Sequence, residues 1–455
     1  MEARDVFALG LGLSEPWKLS GQRLDIEKRP HELHLEVVAD RGAMFPCPEC
    51  GGAFKAHDFA SFTWQHLNFF QHHCFITARV PRVDCPDHGI KRAPVPWARP
   101  GSRFTLLFEQ VALVLVREMP VLAAARFIGI TDKRLWRIVE HYVRRAVAGL
   151  DLRGVRALGL DETASKRGHN YVTVFIDMDR RDKPVIFVTP GKGKACVAEF
   201  RAFMLSHGGE PTVVAEVVCD MSPAFLAAVA ASFPNAAVTV DWFHVVQLFT
   251  TAVDQVRKAE ASQRKFPKAA RWAVLKAGDR NLTDDQRIAL AELETGGFAT
   301  AAAYRAKEML RWIRRASTPQ AARWRITRFI NHIGLGLDPS PLLDPVRRAL
   351  RTFASHVDRI IQRWTSSHSN ARLEGLNGIF QAARARARGY RNTATFVTII
   401  YLIAAQLPDI LKWFLDVPSG IERRLKAAFK PFMLPWMGHG GGRWKRGTCL
   451  RSGLA

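Results

Sequence analysis

The sequence predicts a multidomain α+β protein, and three observations predict it. Its 455 residues are too many for one ordinary core. Strand-like alternation fills two regions, 18–95 and 155–245, and in the second the later strands are joined through helices. Residues 245–360 then carry a helical pattern throughout, far too long for a loop. Hydrophobic residues make up 48%, which is enough to bury real cores.

The first expected domain is 1–95. "KLSGQRLDIE" and "ELHLEVVAD" alternate as a hairpin would. "CPECG" (47–51) supplies Cys47 and Cys50, and "CPDHG" (85–89) supplies Cys85 and His88. Each pair is followed by a glycine, which lets the backbone turn while its amides approach sulfur. Four soft ligands at these spacings predict a closed, tetrahedral, structural Zn²⁺ site in a zinc-ribbon-like domain. The bland reading is ordinary reduced thiols. Cys74, in "QHHCFITARV", is a substitute ligand in mid-strand.

A Pro-rich spacer, "RAPVPWARPGS" (92–102), leads into an expected helix-turn-helix at 100–150. In "VLAAARFIGITDKRLWRIVEHYVRRAV", Ala124, Phe127 and Ile128 give one apolar face and Gly129 ends the helix. Thr131 or Asp132 caps the next helix, whose buried stripe is Leu135, Ile138 and Val139. Lys133, Arg134 and Arg137 lie off that stripe, as in a helix that enters the major groove. Two core helices joined by a turn would look the same.

From 155 to 245 the pattern predicts strands at 157–162, 170–179 and 184–189, a helix at 195–207, a strand at 213–219, a helix at 222–232 and a strand at 236–241. An antiparallel meander followed by β-α-β-α is the order of a ribonuclease-H-like α/β domain. An all-α insertion at 246–357 would interrupt it, and the core would resume at 358–415. The apolar segment 396–415 contains Pro408 and Asp409, so it reads as core helices and not a membrane span. A basic tail, 416–455, shows no period.

Three acids then matter. Asp161 ends the first of these strands and Asp220 the fourth, and the fold makes those strands neighbours. Converging carboxylates suit two hard cations, Mg²⁺ or Mn²⁺, at a phosphoryl-transfer site. Glu374, in "SNARLEGLNG", is the candidate third acid beyond the insertion, and Gly375 and Gly378 would let its helix lie close on the sheet. Asp241 ends the fifth strand and is a rival second acid, although that strand is farther from the first. His244 would contact the scissile phosphate or a DNA flank, or merely cap the next helix. Lys166, Arg167, Arg372, Arg384 and Arg388 are candidate phosphate contacts, with Arg384 and Arg388 on one helical face.

"GLDETASKRGHNYVTVFIDMD", "CDMSPAF", "FPNAAVTVDWFHVVQL" and "SNARLEGLNG" with "RARGYRN" resemble the bacterial insertion-sequence transposases of the ISL-three family. The CPxCG start fits as well, and the likeness spans about 40 to 410. It implies a DDE transposase with Asp161, Asp220 and Glu374 as metal ligands. It implies a zinc-binding and helix-turn-helix region for terminal inverted repeats, an all-α insertion, and a homodimer or larger assembly on DNA. The formal net charge of +24 agrees with double-stranded DNA as partner. Seven cysteines without a disulfide pattern, and no secretory start in "MEARDVFALGLGLSEPWKLSG", predict a cytoplasmic, nucleoid-associated protein with no membrane partner. Two other functions fit the residues: a non-catalytic zinc and helix-turn-helix regulator, and a ribonuclease-H-like nuclease without strand transfer.

Overall fold

The N-terminal part is built on six strands. They are β1 (Trp17–Asp25), β2 (Glu32–Ala39), β3 (Met44–Pro46), β4 (Ala53–Phe69), β5 (His72–Cys85) and β6 (Gly89–Arg92). Their order is β1-β2-β5-β4-β3, with β6 paired to β5. The predicted alternation holds: Leu33, Leu35 and Val37 of β2 face a core with Ile76, Ala78 and Val80 of β5. This computed structural model describes residues 7–8, 11, 13–166, 168, 170–276, 278 and 281–406. They belong to one compact unit, Met1–Leu407. Arg167, the end of the expected second core segment and the expected basic tail lie outside the described residues.

Three helices follow: α1 (Leu106–Glu118), α2 (Val121–Phe127) and α3 (Asp132–Ala148). Gly129 has φ +72, the left-handed turn expected between α2 and α3. Thr131 caps α3 by accepting from the Arg134 amide. Leu135, Ile138 and Val139 are buried, as their spacing predicts. Glu109 of α1 is fully buried and accepts from Arg99, Ser102 and the Tyr142 hydroxyl, which locks α1 to α3.

A second sheet comprises β7 (Ala157–Ala164), β8 (Tyr171–Asp177), β9 (Val185–Pro190), β10 (Glu216–Cys219) and β11 (Ala237–Val240). Its order is β11-β10-β7-β8-β9. β8 runs antiparallel to β7 and β9, while β7, β10 and β11 are mutually parallel. That is the arrangement predicted for a ribonuclease-H-like core. Helices α4 (Lys194–Ser206) and α5 (Pro223–Ser232) cover one face through Val197, Phe200, Phe225 and Val229, which pack on Leu158, Leu160 and Phe175.

The helical insertion leaves β11 directly. Helix α6 (Trp242–Gln263) is followed by a single turn, Ala270–Ala273, then α7 (Asp284–Thr295), α8 (Ala299–Arg314), α9 (Pro319–Gly336) and α10 (Asp344–Ser355). Val245, Phe249, Val253 and Val256 form the buried stripe of α6 and meet Leu310, Phe329 and Phe353. The chain then returns through α11 (Ala371–Arg386) and α12 (Thr393–Ala404) to the open face of the sheet. Tyr401 of α12 accepts from the Val188 amide and so covers the β9 edge. The apolar segment that opens at Phe396 is therefore a core helix as far as it is described. No helix among the described residues is long and apolar enough to cross a membrane.

Candidate functional site

Two knuckles bring the Cys and His ligands together. Cys47 and Cys50 lie in the β3–β4 turn, and Cys85 and His88 lie where β5 turns into β6. Their ligand atoms all lie within 4.8 Å of one another. Cys50 Sγ is 3.7 Å from Cys85 Sγ, and Cys85 Sγ is 3.4 Å from His88 Nδ1. Bonds of about 2.3 Å to sulfur and 2.0 Å to nitrogen in a tetrahedron require about 3.5–3.8 Å between ligand atoms. The donor set therefore fits Zn²⁺. The amide of Cys50 points at Cys47 and lowers its thiol pKa, which favours the ligating thiolate. Cys74 is buried in β5, apart from this cluster, and burial pushes its thiol up to about 12. It is a core residue.

The acids are aligned by strand register. Val218 pairs with Gly159, and Cys219 pairs with Val240. Carrying both registers forward sets Asp220 beside Asp161 on one side and beside Asp241 on the other. Three carboxylates thus occupy one row across β7, β10 and β11. Asp161 does not end its strand as expected. β7 continues to Ala164, because its hairpin with β8 keeps pairing as far as Tyr171. What ends near Asp161 is the parallel neighbour β10.

Alternation decides which of the two adjacent acids joins the row. Leu158 and Leu160 face α4 and α5. Gly159 faces α11: a Cβ there would lie 2.9 Å from Leu373 Cδ1 and 2.6 Å from Met178 Sδ. Asp161 shares the Gly159 face, and Glu162 points the other way. The close approach of α11 thus depends on the glycine in the strand. Gly375 and Gly378, expected to provide it, stand in open space, where an added Cβ would meet nothing within 4 Å.

Electrostatics record the convergence. Burial pushes Asp161 up to about 6, and the charges of Asp220 and Asp241 add to it against the Glu162 amide and His244. Glu374 is raised by burial and then by the carboxylate of Asp241. So Asp161, Asp220 and Asp241 form one group, and Glu374 joins it against Asp241. Burial also favours the neutral form of Asp241, but the close imidazole of His244 and the hydrogen bond from the Phe243 amide outweigh it and hold the pKa low. His244 Nδ1 is 3.2 Å from Asp241 Oδ2, off the hydrogen-bond direction, and this partner first, over burial, raises its pKa. Asp241 also caps α6.

A polar stripe runs along α11, starting from its N-cap residue Asn370. Asn370, Glu374, Asn377, Gln381 and Arg384 recur at three- and four-residue steps and share a face. Asn370 Nδ2 donates to Asp241 Oδ2 at 3.2 Å, and Asn377 Nδ2 to Asp161 Oδ2 at 2.8 Å. Gln381 donates to Thr163 Oγ1 and Arg384 to the Ala164 carbonyl. Asn370, Asn377 and Gln381 are not among the residues expected from the sequence, and this polar stripe at helical period is the signal that points to them.

The cations divide by role. Lys133, Arg134 and Arg137 are exposed on α3, and Arg134 stacks over the Phe104 ring at 4.4 Å. Lys166 is exposed in the turn after β7. Arg372 donates to the carbonyls of Met178 and Arg180, which fastens α11 to the end of β8. Arg388 does not share a face with Arg384: α11 ends at Arg386, and Arg388 turns with φ +55.

Comparison with known proteins agrees with this architecture. Residues 158–400 match the ISL3-type DDE family model, described as a transposase. Residues 93–143 match the helix-turn-helix domain of transposase family ISL3. Residues 44–88 match the zinc-finger of the transposases of IS204, IS1001, IS1096 and IS1165. The transposase for insertion sequence element IS1001 of Bordetella parapertussis is 26% identical over 366 residues, 77% of this chain and 86% of that protein. The transposase for insertion sequence element IS1557 of Mycobacterium tuberculosis is 30% identical over 237 residues, 50% of this chain and 52% of that protein.

Proposed function

Because the chain belongs to the ISL3 family of transposases, we propose that it binds the terminal inverted repeats of an insertion sequence, cuts the element's ends and joins them to target DNA. The observation that carries this reading is the row of Asp161, Asp220 and Asp241 with Glu374 on the helix above. An all-oxygen donor set in which repulsion and burial raise a carboxylate fits hard cations. Two Mg²⁺ or Mn²⁺ ions held by Asp161, Asp220 and Glu374 would offset the charge that develops on the attacking and leaving oxygens.

The chain's own residues do the rest. Asn377 fixes the orientation of Asp161 through its amide. Asp241 holds His244 beside the acids at 3.2 Å, and the raised pKa favours the protonated ring there, which would meet a backbone phosphate. Helix α3 offers Lys133, Arg134 and Arg137 to the duplex, and Lys166, exposed in the turn after β7, would contact a backbone phosphate. Cys47, Cys50, Cys85 and His88 would hold Zn²⁺ and fix the knuckles. In the reaction, water displaces the 3′-oxygen at the element's end. The freed 3′-hydroxyl then displaces a 3′-oxygen of target DNA in the same way. Two ends must be handled together, so a dimer or larger assembly on DNA is part of the proposal.

The test uses the purified chain and a labelled duplex containing one end of the element, found as an imperfect inverted repeat flanking the reading frame. Transposase activity requires Mg²⁺-dependent nicking at the end and joining of a pre-cut 3′-hydroxyl end. Binding without nicking would leave a regulator. Nicking without joining would leave a nuclease.

A further inference from the structure

A hollow of about 410 Å³ opens beside the acids, between α6 of the insertion and α10. Asp220 and His244 form its mouth. Gln247, Thr251 and Gln255 line one wall, one below another on the same face of α6. Arg348 of α10 lines the opposite wall. Arg348 is exposed and has no ion-pair or hydrogen-bond partner among the described residues. The floor between the walls is apolar.

This arrangement suits a particular ligand. The volume lies in the range of about 300–1,000 Å³ typical of small-molecule sites, a size that suits nucleotides of an unpaired strand. Side-chain amides on one wall match base edges, the apolar floor matches base and sugar faces, and the unpaired guanidinium matches a phosphate. Asp220 belongs both to the row of acids and to the mouth of the hollow, so a strand lying in the hollow would run on to the reacting phosphate.

Resting on the transposase reading above, we propose that this groove binds an unpaired segment of the DNA strand flanking the scissile phosphate, with Arg348 on its backbone and Gln247 and Gln255 on its bases. The insertion would then be a strand-separating wall of the active site as well as a spacer between Asp241 and Glu374.

The experiment measures binding of two fluorescent duplexes by anisotropy in Ca²⁺. One ends flush at the element boundary. The other carries a five-nucleotide single-stranded extension past it. The wild-type chain should bind the extended duplex about tenfold more tightly than the flush one, from added phosphate and base contacts. The double variant Arg348→Ala with Gln255→Ala should bring that ratio to about one by removing the same contacts. Arg351→Ala, on the same helix but outside the groove, should keep the wild-type ratio. A photoreactive thymidine in the extension should cross-link to α6 or α10. A ratio near one in the wild-type chain, or an unchanged ratio in the double variant, overturns the groove and leaves the transposase reading standing. The tenfold preference kept, but with no Mg²⁺-dependent nicking of the element end, would overturn the transposase reading and leave a groove for single-stranded DNA.

Discussion

Glu260, near the end of α6, sets a measurable part of the insertion's stability. It is 2% exposed. Its carboxylate accepts from the amides of Ala299 and Thr300 at 2.8 and 2.9 Å, from Thr300 Oγ1 at 2.7 Å and from Arg264 Nη2 at 2.5 Å. It thereby caps α8 from a neighbouring helix, where a negative charge meets the positive end of the dipole. Glu260→Ala leaves the amide and hydroxyl of fully buried Thr300 without a partner. At about 1–3 kcal/mol for each orphaned donor, plus the lost ion pair, the cost is about 3–5 kcal/mol. Glu260→Gln keeps one acceptor oxygen and should cost about 1.5–3 kcal/mol. Burial favours the protonated form of Glu260, but the hydrogen bonds from Thr300, Arg264 and Ala299 outweigh it and hold the pKa below its usual value. A depressed folded-state pKa gives stability that is present above the unfolded value, about 4.3, and lost as pH falls through the folded one. The gap between wild type and Glu260→Gln should therefore be widest near neutral pH and shrink in acid. Urea unfolding with the slope fitted at each pH measures it, and hydrogen exchange at Ala299 and Thr300 localises it. A loss under about 0.5 kcal/mol for Glu260→Ala at pH 7 would refute the reasoning, since that is the scale of an ordinary surface change.

Other outcomes follow from the same geometry. The purified chain should carry zinc by elemental analysis, and Cys85→Ser should abolish it while Cys74→Ser should not. Gly159→Ala should cost about 1–3 kcal/mol in thermal or urea unfolding, because its Cβ meets Leu373 and Met178 within 3 Å. Asn377→Ala removes a hydrogen bond to a carboxylate, about 1.5–3 kcal/mol, and should weaken Mn²⁺ binding about tenfold or more by electron paramagnetic resonance. Unaltered Mn²⁺ affinity would show that Asn377 only packs.

What the sequence made legible was local. The knuckles follow from Cys and His spacing, the turn before α3 from Gly129 and Thr131, and the strands of the second sheet from alternation broken by helical stretches. The row of acids was legible in part, because Asp161 and Asp220 follow apolar runs that predict strands, and the expected fold makes those strands neighbours. Its register was not, since pairing depends on how far β10 runs against β7. The roles along α11 were hidden for a related reason. Asn377 acts on a residue 216 positions away and Asn370 on one 129 positions away. Spacing within a helix shows which side chains share a face, and the partner of that face comes only from tertiary packing. Arg372 illustrates the converse: its charge suggested a phosphate, and the fold gives it two carbonyls instead.

The most direct test of the central claim is single-turnover cleavage of a labelled element end in Mg²⁺ by Asp161→Ala, Asp220→Ala, Glu374→Ala and Asp241→Ala, with end binding measured in parallel. The first three variants should bind the end yet cut it at least about a hundredfold more slowly, while Asp241→Ala, which removes the partner of His244, should keep measurable cutting. Cutting at the wild-type rate by Asp220→Ala, together with its loss in Asp241→Ala, would contradict the claim.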